Sequence, residues 1–154
     1  MKIYLASSWK NQKAVLALVE SLEKEGFEVD AFCRPTDTRY SFHWSELVNN
    51  EDDLKYYDAI EFLADLRTQR AFKEDKKWLD WADTVIMVMP CGRSSHLEAG
   101  YAVGQGKQLY IYGCFPKGEF DVMYGFADRL FRTNELSDLL TVLRLRNGSR
   151  VKEK

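Results

Sequence analysis

Residues 83–90, DTVIMVMP, restrict the possible folds of this chain more than any other stretch. Over 85–89 no polar side chain interrupts the run, so a strand here must be covered on both faces. That is the situation of a central strand in a parallel sheet. Covering both faces takes helices, and the run therefore predicts an α/β layer architecture.

The rest of the chain alternates as that architecture requires. Residues 2–6 (KIYLA) read as a first buried strand ending in the small polar pair Ser7 and Ser8. Over 11–25 the apolar residues Ala14, Val15, Leu18, Val19 and Leu22 recur at three- and four-residue steps, with Gly26 placed for a C-cap. This predicts an amphipathic helix. Residues 27–32 (FEVDAF) alternate as a half-buried strand does. The stretch 33–47 reads as a loop carrying Pro35, Thr36, Asp37 and Thr38 and then four rings, Tyr40, Phe42, His43 and Trp44.

Residues 52–82 are helical in pattern but long and charged, which predicts two helices with a break near 68–71. After the central strand, Cys91 to Ser95 read as a tight turn, followed by a helix over 96–104 and a strand over 107–113. An irregular segment (115–128) and a short edge strand (129–133) come next. A closing helix over 135–145, with Asn134 as its cap, ends in a frayed polar tail.

Right-handed crossovers leave few topologies for such an order. The expected fold is α/β: a single-domain flavodoxin-like or Rossmann-like open parallel sheet of about five strands, with helices on both faces. The domain spans 1–147 and the polar tail 148–154. In such sheets a site lies beyond the carboxyl ends of the strands at the switch point, here after Ala6, Phe32 and Pro90.

With 154 residues, 45% hydrophobic and 30% charged, the chain has the material for one packed core and a charged surface. Its net charge of −2 argues against a nucleic-acid polymer or an anionic membrane as partner. No segment approaches a membrane-spanning length, and no leader-like apolar run follows the first residues. Three widely spaced cysteines, Cys33, Cys91 and Cys114, offer neither a disulfide framework nor a CxxC pair, which fits a reducing cytoplasm. The two histidines, His43 and His96, are too far apart to suggest a metal site, so no metal and no cofactor are expected. No GxGxxG follows the first strand and no Walker A sequence is present.

Candidate chemistry concentrates in residues 90–104, PCGRSSHLEAGYAVG. Gly92 permits a sharp turn, Arg93 supplies charge, and Ser94 and Ser95 supply donors at a helix N-terminus, where an anion is favoured. Ser94 or Ser95 as a simple N-cap explains the same residues. Glu98 follows among Ala99, Gly100 and Ala102, small residues that let a ligand approach; compensation of the helix dipole is its plainer explanation. Cys91 reads as a small buried thiol rather than a nucleophile, and Tyr110, Tyr112 and Phe115 as sheet packing.

These residues resemble the nucleoside 2-deoxyribosyltransferase superfamily, which includes deoxyribonucleoside 5'-monophosphate N-glycosidases. The resemblance covers most of the chain. It rests on the opening strand KIYLA with Ser7 and Ser8, on Asp75 ahead of the strand that starts at Asp83, on Glu98-Ala99-Gly100-Tyr101-Ala102, and on Gly106-Lys107. It implies that Glu98 is the nucleophile that holds the sugar as a glycosyl-enzyme intermediate. Asp75 is then the sugar-binding carboxylate, and Tyr4 the tyrosine that orients Glu98. Ser8, Lys10, Ser94 and Ser95 fall where nucleotide-hydrolysing members hold a 5'-phosphate. The resemblance also implies a homodimer or larger assembly in which a neighbouring subunit completes the site, with 115–126 as the candidate contribution.

The implied chemistry is self-consistent, since an oxocarbenium-like state is stabilised and trapped by a carboxylate, as in retaining glycosidases. Phe42 and Trp44 are candidates for stacking on the base, or equally for capping the core or a dimer interface. One departure separates the activities. Transferases acting on free nucleosides often carry an acidic residue about six positions before the nucleophile, where this chain has Gly92. The expectation is therefore hydrolysis of a nucleoside 5'-monophosphate or nucleoside. Transfer of the sugar to a second base, a non-catalytic nucleotide-binding module, and cleavage of a related N-ribosyl bond such as that to nicotinamide are the alternatives.

Overall fold

The computed structural model describes residues 1–34, 39–118 and 120–152, without the side chains of Trp44, Glu51 and 150–152. Residues 35–38 of the expected loop thus lie outside the described residues. Five strands, β1 (Lys2–Ala6), β2 (Glu28–Ala31), β3 (Thr84–Met89), β4 (Gln108–Gly113) and β5 (Arg129–Arg132), form one sheet in the order β2-β1-β3-β4-β5. Every pairing is parallel. This is the flavodoxin-like order, with its switch point between β1 and β3. All six residues of β3 are buried, as its apolar run demands.

The helices are α1 (Gln12–Lys24), α2 (Ala59–Ala64), α3 (Leu66–Trp81), α4 (Arg93–Gly104) and α5 (Leu136–Lys152). Because side chains alternate along a strand, β1 sends Ile3 and Leu5 to one face and Tyr4 and Ala6 to the other. The first face packs Val15, Leu18 and Leu22 of α1 and Leu139 and Leu143 of α5. The second packs Leu79 of α3 and Ala99 and Ala102 of α4.

Four boundaries differ from expectation, each for a local reason. The first of the two helices expected over 52–82 begins at Ala59 rather than 52, because a separate 3₁₀ turn (Glu51–Tyr56) comes first and the Asp58 carboxylate accepts from the Ile60 backbone N–H to cap α2. The break in the long charged stretch falls at Asp65, not at 68–71, because the Asp65 carboxylate accepts from the Arg67 backbone N–H and caps α3. Helix α4 starts at Arg93, three residues early: Gly92 is its N-cap in an extended conformation without a side-chain cap, so no capping residue marks the start. Helix α5 runs to Lys152 and begins after a 3₁₀ turn (Thr133–Glu135), where Arg132 N–H donates to the Glu135 carboxylate; Asn134 lies inside that turn.

Gly113 closes β4 with φ 141°, a backbone that only glycine adopts readily. A Cβ there would overlap the backbone of Met89 at the end of β3.

Candidate active site

At the carboxyl ends of β1 and β3 the chain opens into a cavity of about 990 Å³. Its floor is pinned from both strands: Ser7 Oγ donates to the Val88 carbonyl at 2.8 Å, and Asn11 Nδ2 reaches the Pro90 carbonyl at 3.3 Å. Glu98, on the face of α4 turned to the sheet, lines the cavity together with Asp75 of α3. Tyr4 lies beneath them, fully buried, and its hydroxyl donates to Glu98 Oε1 at 3.1 Å. The three residues that the resemblance joins across 94 positions of sequence are thus brought to one place.

The electrostatics of this group follow from too little solvent for too much negative charge. Burial pushes the Glu98 carboxyl up to about 8, and the neighbouring Asp75 adds to the rise, while the Tyr4 hydrogen bond and the Arg39 charge oppose it. Asp75 is pushed up to about 6 by burial, with Arg39 pulling the other way. Burial and the nearby carboxylates hold the Tyr4 hydroxyl well above its ordinary range, so it remains a donor.

Arg39 is the residue that sequence reading missed. Its side chain is 1% exposed, and its two Nη atoms contact Asp30 Oδ2 and Asp75 Oδ1, each at 2.6 Å. The guanidinium also sits 5.9 Å from the ring centroids of Tyr4 and Trp78. The available signal was Asp30: a carboxylate inside a buried strand, here 5% exposed, requires a cation. The sequence did not say which of the 22 lysines and arginines would supply it.

The mouth is built by the turn before α4. Gly92, Arg93, Ser94 and Ser95 all line the cavity; Arg93 and Ser94 are exposed and Ser95 is buried. Because the helix starts at Arg93, these residues form its first turn rather than a preceding loop, so the dipole and free N–H groups of α4 face the same opening. His96, in the same turn, is not among the lining residues. Its Nδ1 donates to the Gly92 carbonyl at 2.9 Å, leaving Nε2 to bond the Tyr124 hydroxyl at 3.3 Å.

Ser8 lines the cavity, whereas Lys10 is exposed on the following turn and is not among the lining residues. Phe42 lines the wall opposite α4, its carbonyl held by Trp9 Nε1 at 3.1 Å. The Trp44 side chain lies outside the described residues. Trp9, Phe62 and Phe72 add aromatic wall that was not anticipated, the last two from α2 and α3. Cys91 is half-buried beside the mouth, and burial pushes its thiol up, which disfavours the thiolate a nucleophile would need. Among the described residues no three His, Cys, Asp or Glu side chains are placed to hold a metal ion, and no helix is long and apolar enough to cross a membrane.

No protein-family model matches the chain, and no curated protein matches it. Solved structures do. The chain is similar to a CMP N-glycosidase of Clostridium botulinum at 16% identity and a TM-score of 0.53, over 94% of this chain and 99% of that one. It is also similar to a 2-deoxyribosyltransferase of Bacillus psychrosaccharolyticus at 18% identity and a TM-score of 0.60, over 91% and 90%. At these identities the likeness is one of fold, extending over nearly the whole chain.

Proposed function

We propose that this protein hydrolyses the N-glycosidic bond of a nucleoside 5'-monophosphate or nucleoside through a glycosyl-Glu98 intermediate. The observation that carries the reading is the Tyr4 hydroxyl donating to Glu98 Oε1 on the wall of a cavity that Asp75 shares. That two solved structures with this fold are named as a CMP N-glycosidase and a 2-deoxyribosyltransferase agrees with it.

In the free protein Glu98 holds its proton up to about pH 8. It gives this proton up, by way of Asp75 or water, to the departing base nitrogen, so that the carboxylate forms as positive charge develops on the sugar. Oε2, which the Tyr4 hydroxyl leaves free, attacks the anomeric carbon while the C–N bond breaks and its electron pair leaves with the base. Water then attacks the same carbon, its hydroxyl remains on the sugar, and its proton returns to Glu98. The sugar ends with retained configuration. The first turn of α4, with Arg93 and Ser94 at the mouth, suits a 5'-phosphate, and the aromatic wall around Phe42 suits the base.

The assembly proposed with this site is a homodimer. In support, the segment 115–126 leaves Phe120, Val122, Met123 and Phe126 exposed, and His96 ties its 3₁₀ turn (Val122–Phe126) to the start of α4.

The test is to incubate the protein with nucleosides and with their 5'-monophosphates, with and without an acceptor base, and follow free base by chromatography. Base release from monophosphates, lost in Glu98→Ala, is the expected result. Exchange that depends on the acceptor would make the protein a transferase. Ligand binding without base release would leave a binding module, and full activity in Glu98→Ala would remove the mechanism.

A further inference from the structure

Arg39 contributes nothing to the lining of the cavity, yet its charge is committed to it. A guanidinium 1% exposed, with one arm on Asp30 and the other on Asp75, acts as a bracket between the sheet and α3. The sheet end of the bracket is set by register: Asp30 of β2 is the partner of Tyr4 of β1, so both side chains rise on the same face. The α3 end reaches Asp75, whose side chain is 36% exposed and is the part of the bracket that meets the cavity. The planar fork of arginine suits this double contact, whereas a lysine presents one point charge and could not hold both carboxylates in this geometry.

We propose that Arg39 is a positioning residue, fixing Asp75 as an oriented anion at the cavity wall, and that Asp30 limits how much of the Arg39 charge reaches Asp75 and Glu98. The inference rests on the glycosidase reading only for its consequence in catalysis; the bracket itself is a matter of geometry. Two carboxylates share one cation, so each dilutes its effect on the other. The titratable groups facing the bracket are Tyr4 from β1, Asp30 from β2 with Cys33 just after it, Glu74 beside Asp75 on α3, and Glu98 from α4. Among the charges that face Asp75, Arg39 lowers its carboxyl and Glu74 raises it.

A bracket of this kind makes two substitutions act in opposite directions, which a residue that merely supports the fold would not do. The carboxyl titrations of the full chain are read by NMR with carboxyl-¹³C aspartate and glutamate, Asp75 and Glu98 being assigned from Asp75→Asn and Glu98→Gln. In Asp30→Asn the Asp75 midpoint falls by about one pH unit, because Arg39 now serves it alone. In Asp30→Asn/Arg39→Met, which avoids stranding a buried Asp30 charge, it rises by a similar amount. The Glu98 midpoint follows in the same two directions by less.

If the protein releases base, the acidic limb of kcat/KM moves down in the first variant and up in the second. Midpoints that coincide with the wild type in both variants, or that move the same way in both, overturn the proposal. Absence of base release from every substrate would instead count against the function, while the titrations still decide the role of Arg39.

Discussion

The two faces of the sheet are built from the same strands and serve opposite ends. On the α1 and α5 side, Ile3, Leu5, Ile86, Tyr110 and Phe131 meet Val15, Leu18, Leu22, Leu139 and Leu143, a layer of hydrophobic contacts with no charged side chain among these residues. On the α3 and α4 side, the residues next in line along the same strands include Tyr4, and the layer opens into Glu98, Asp75 and the Arg39 bracket. One face stabilises the fold by burial, about 25 cal/mol per Å². The other places ionisable groups where each costs desolvation energy. A strand with a two-residue period can carry both tasks because alternate residues never share a face.

The largest effect that separates the faces is expected from Leu22→Ala, since Leu22 is fully buried. Urea unfolding should show a loss of about 2–5 kcal/mol. At a temperature where the variant is folded, base release should stay within about twofold of the parent rate; a larger fall would mean that the apolar face also shapes the site. The mirror experiment is Tyr4→Phe, which keeps the ring and removes the donor. Base release should drop by roughly ten- to a hundredfold, from the typical worth of a hydrogen bond to a charged group. Its basic limb, which the proton carried by Glu98 sets, should move to higher pH because the hydroxyl favours the Glu98 anion.

A third change bears on stability from the α3 and α4 face. Glu98 keeps its proton to about pH 8 when folded but has an ordinary value of 4.5. Its contribution is therefore fully present below about 4.5 and lost as pH rises through about 8. Glu98→Gln stays neutral, so it should match the parent at pH 4 and exceed it progressively up to pH 8.5, by roughly 1–3 kcal/mol. Thermal unfolding across that range checks the sign, and a variant less stable at pH 8.5 would contradict it. The smallest effect on folding is expected from Phe126→Ser at an exposed position, within about 0.5 kcal/mol. Analytical ultracentrifugation should nevertheless show weakened self-association; an unchanged sedimentation profile would remove 115–126 from the proposed interface.

What the sequence made legible was the apolar face and the order of the elements. The run in β3, the three- and four-step spacing in α1 and the positive-φ position at Gly26 are local patterns, and local patterns are what a sequence displays. The start of α4 was less visible because its N-cap is a glycine with no capping side chain. Asp65 was visible in kind, being a good capping residue, but competed with a charged stretch in which many positions could end a helix. Glu98, Asp75 and Tyr4 were legible through resemblance and not through pattern, since 94 residues separate the Tyr4 and Glu98 that meet. Arg39 was legible only as a need for some cation beside Asp30, not as a particular residue. Its two partners lie 9 and 36 residues away on separate elements, and only the folded sheet brings them together.

Gly113 lies on none of these paths, yet it meters the gap between the two central strands at their carboxyl ends. A methyl group there would press on the backbone of Met89, and only three residues separate Met89 from the first residue of α4. Crowding would thus travel along a short tether into the helix that carries Glu98. The bare backbone at the end of β4 is in effect a mechanical clearance, and the alignment of the acid with the Tyr4 hydroxyl depends on a side chain that is not there.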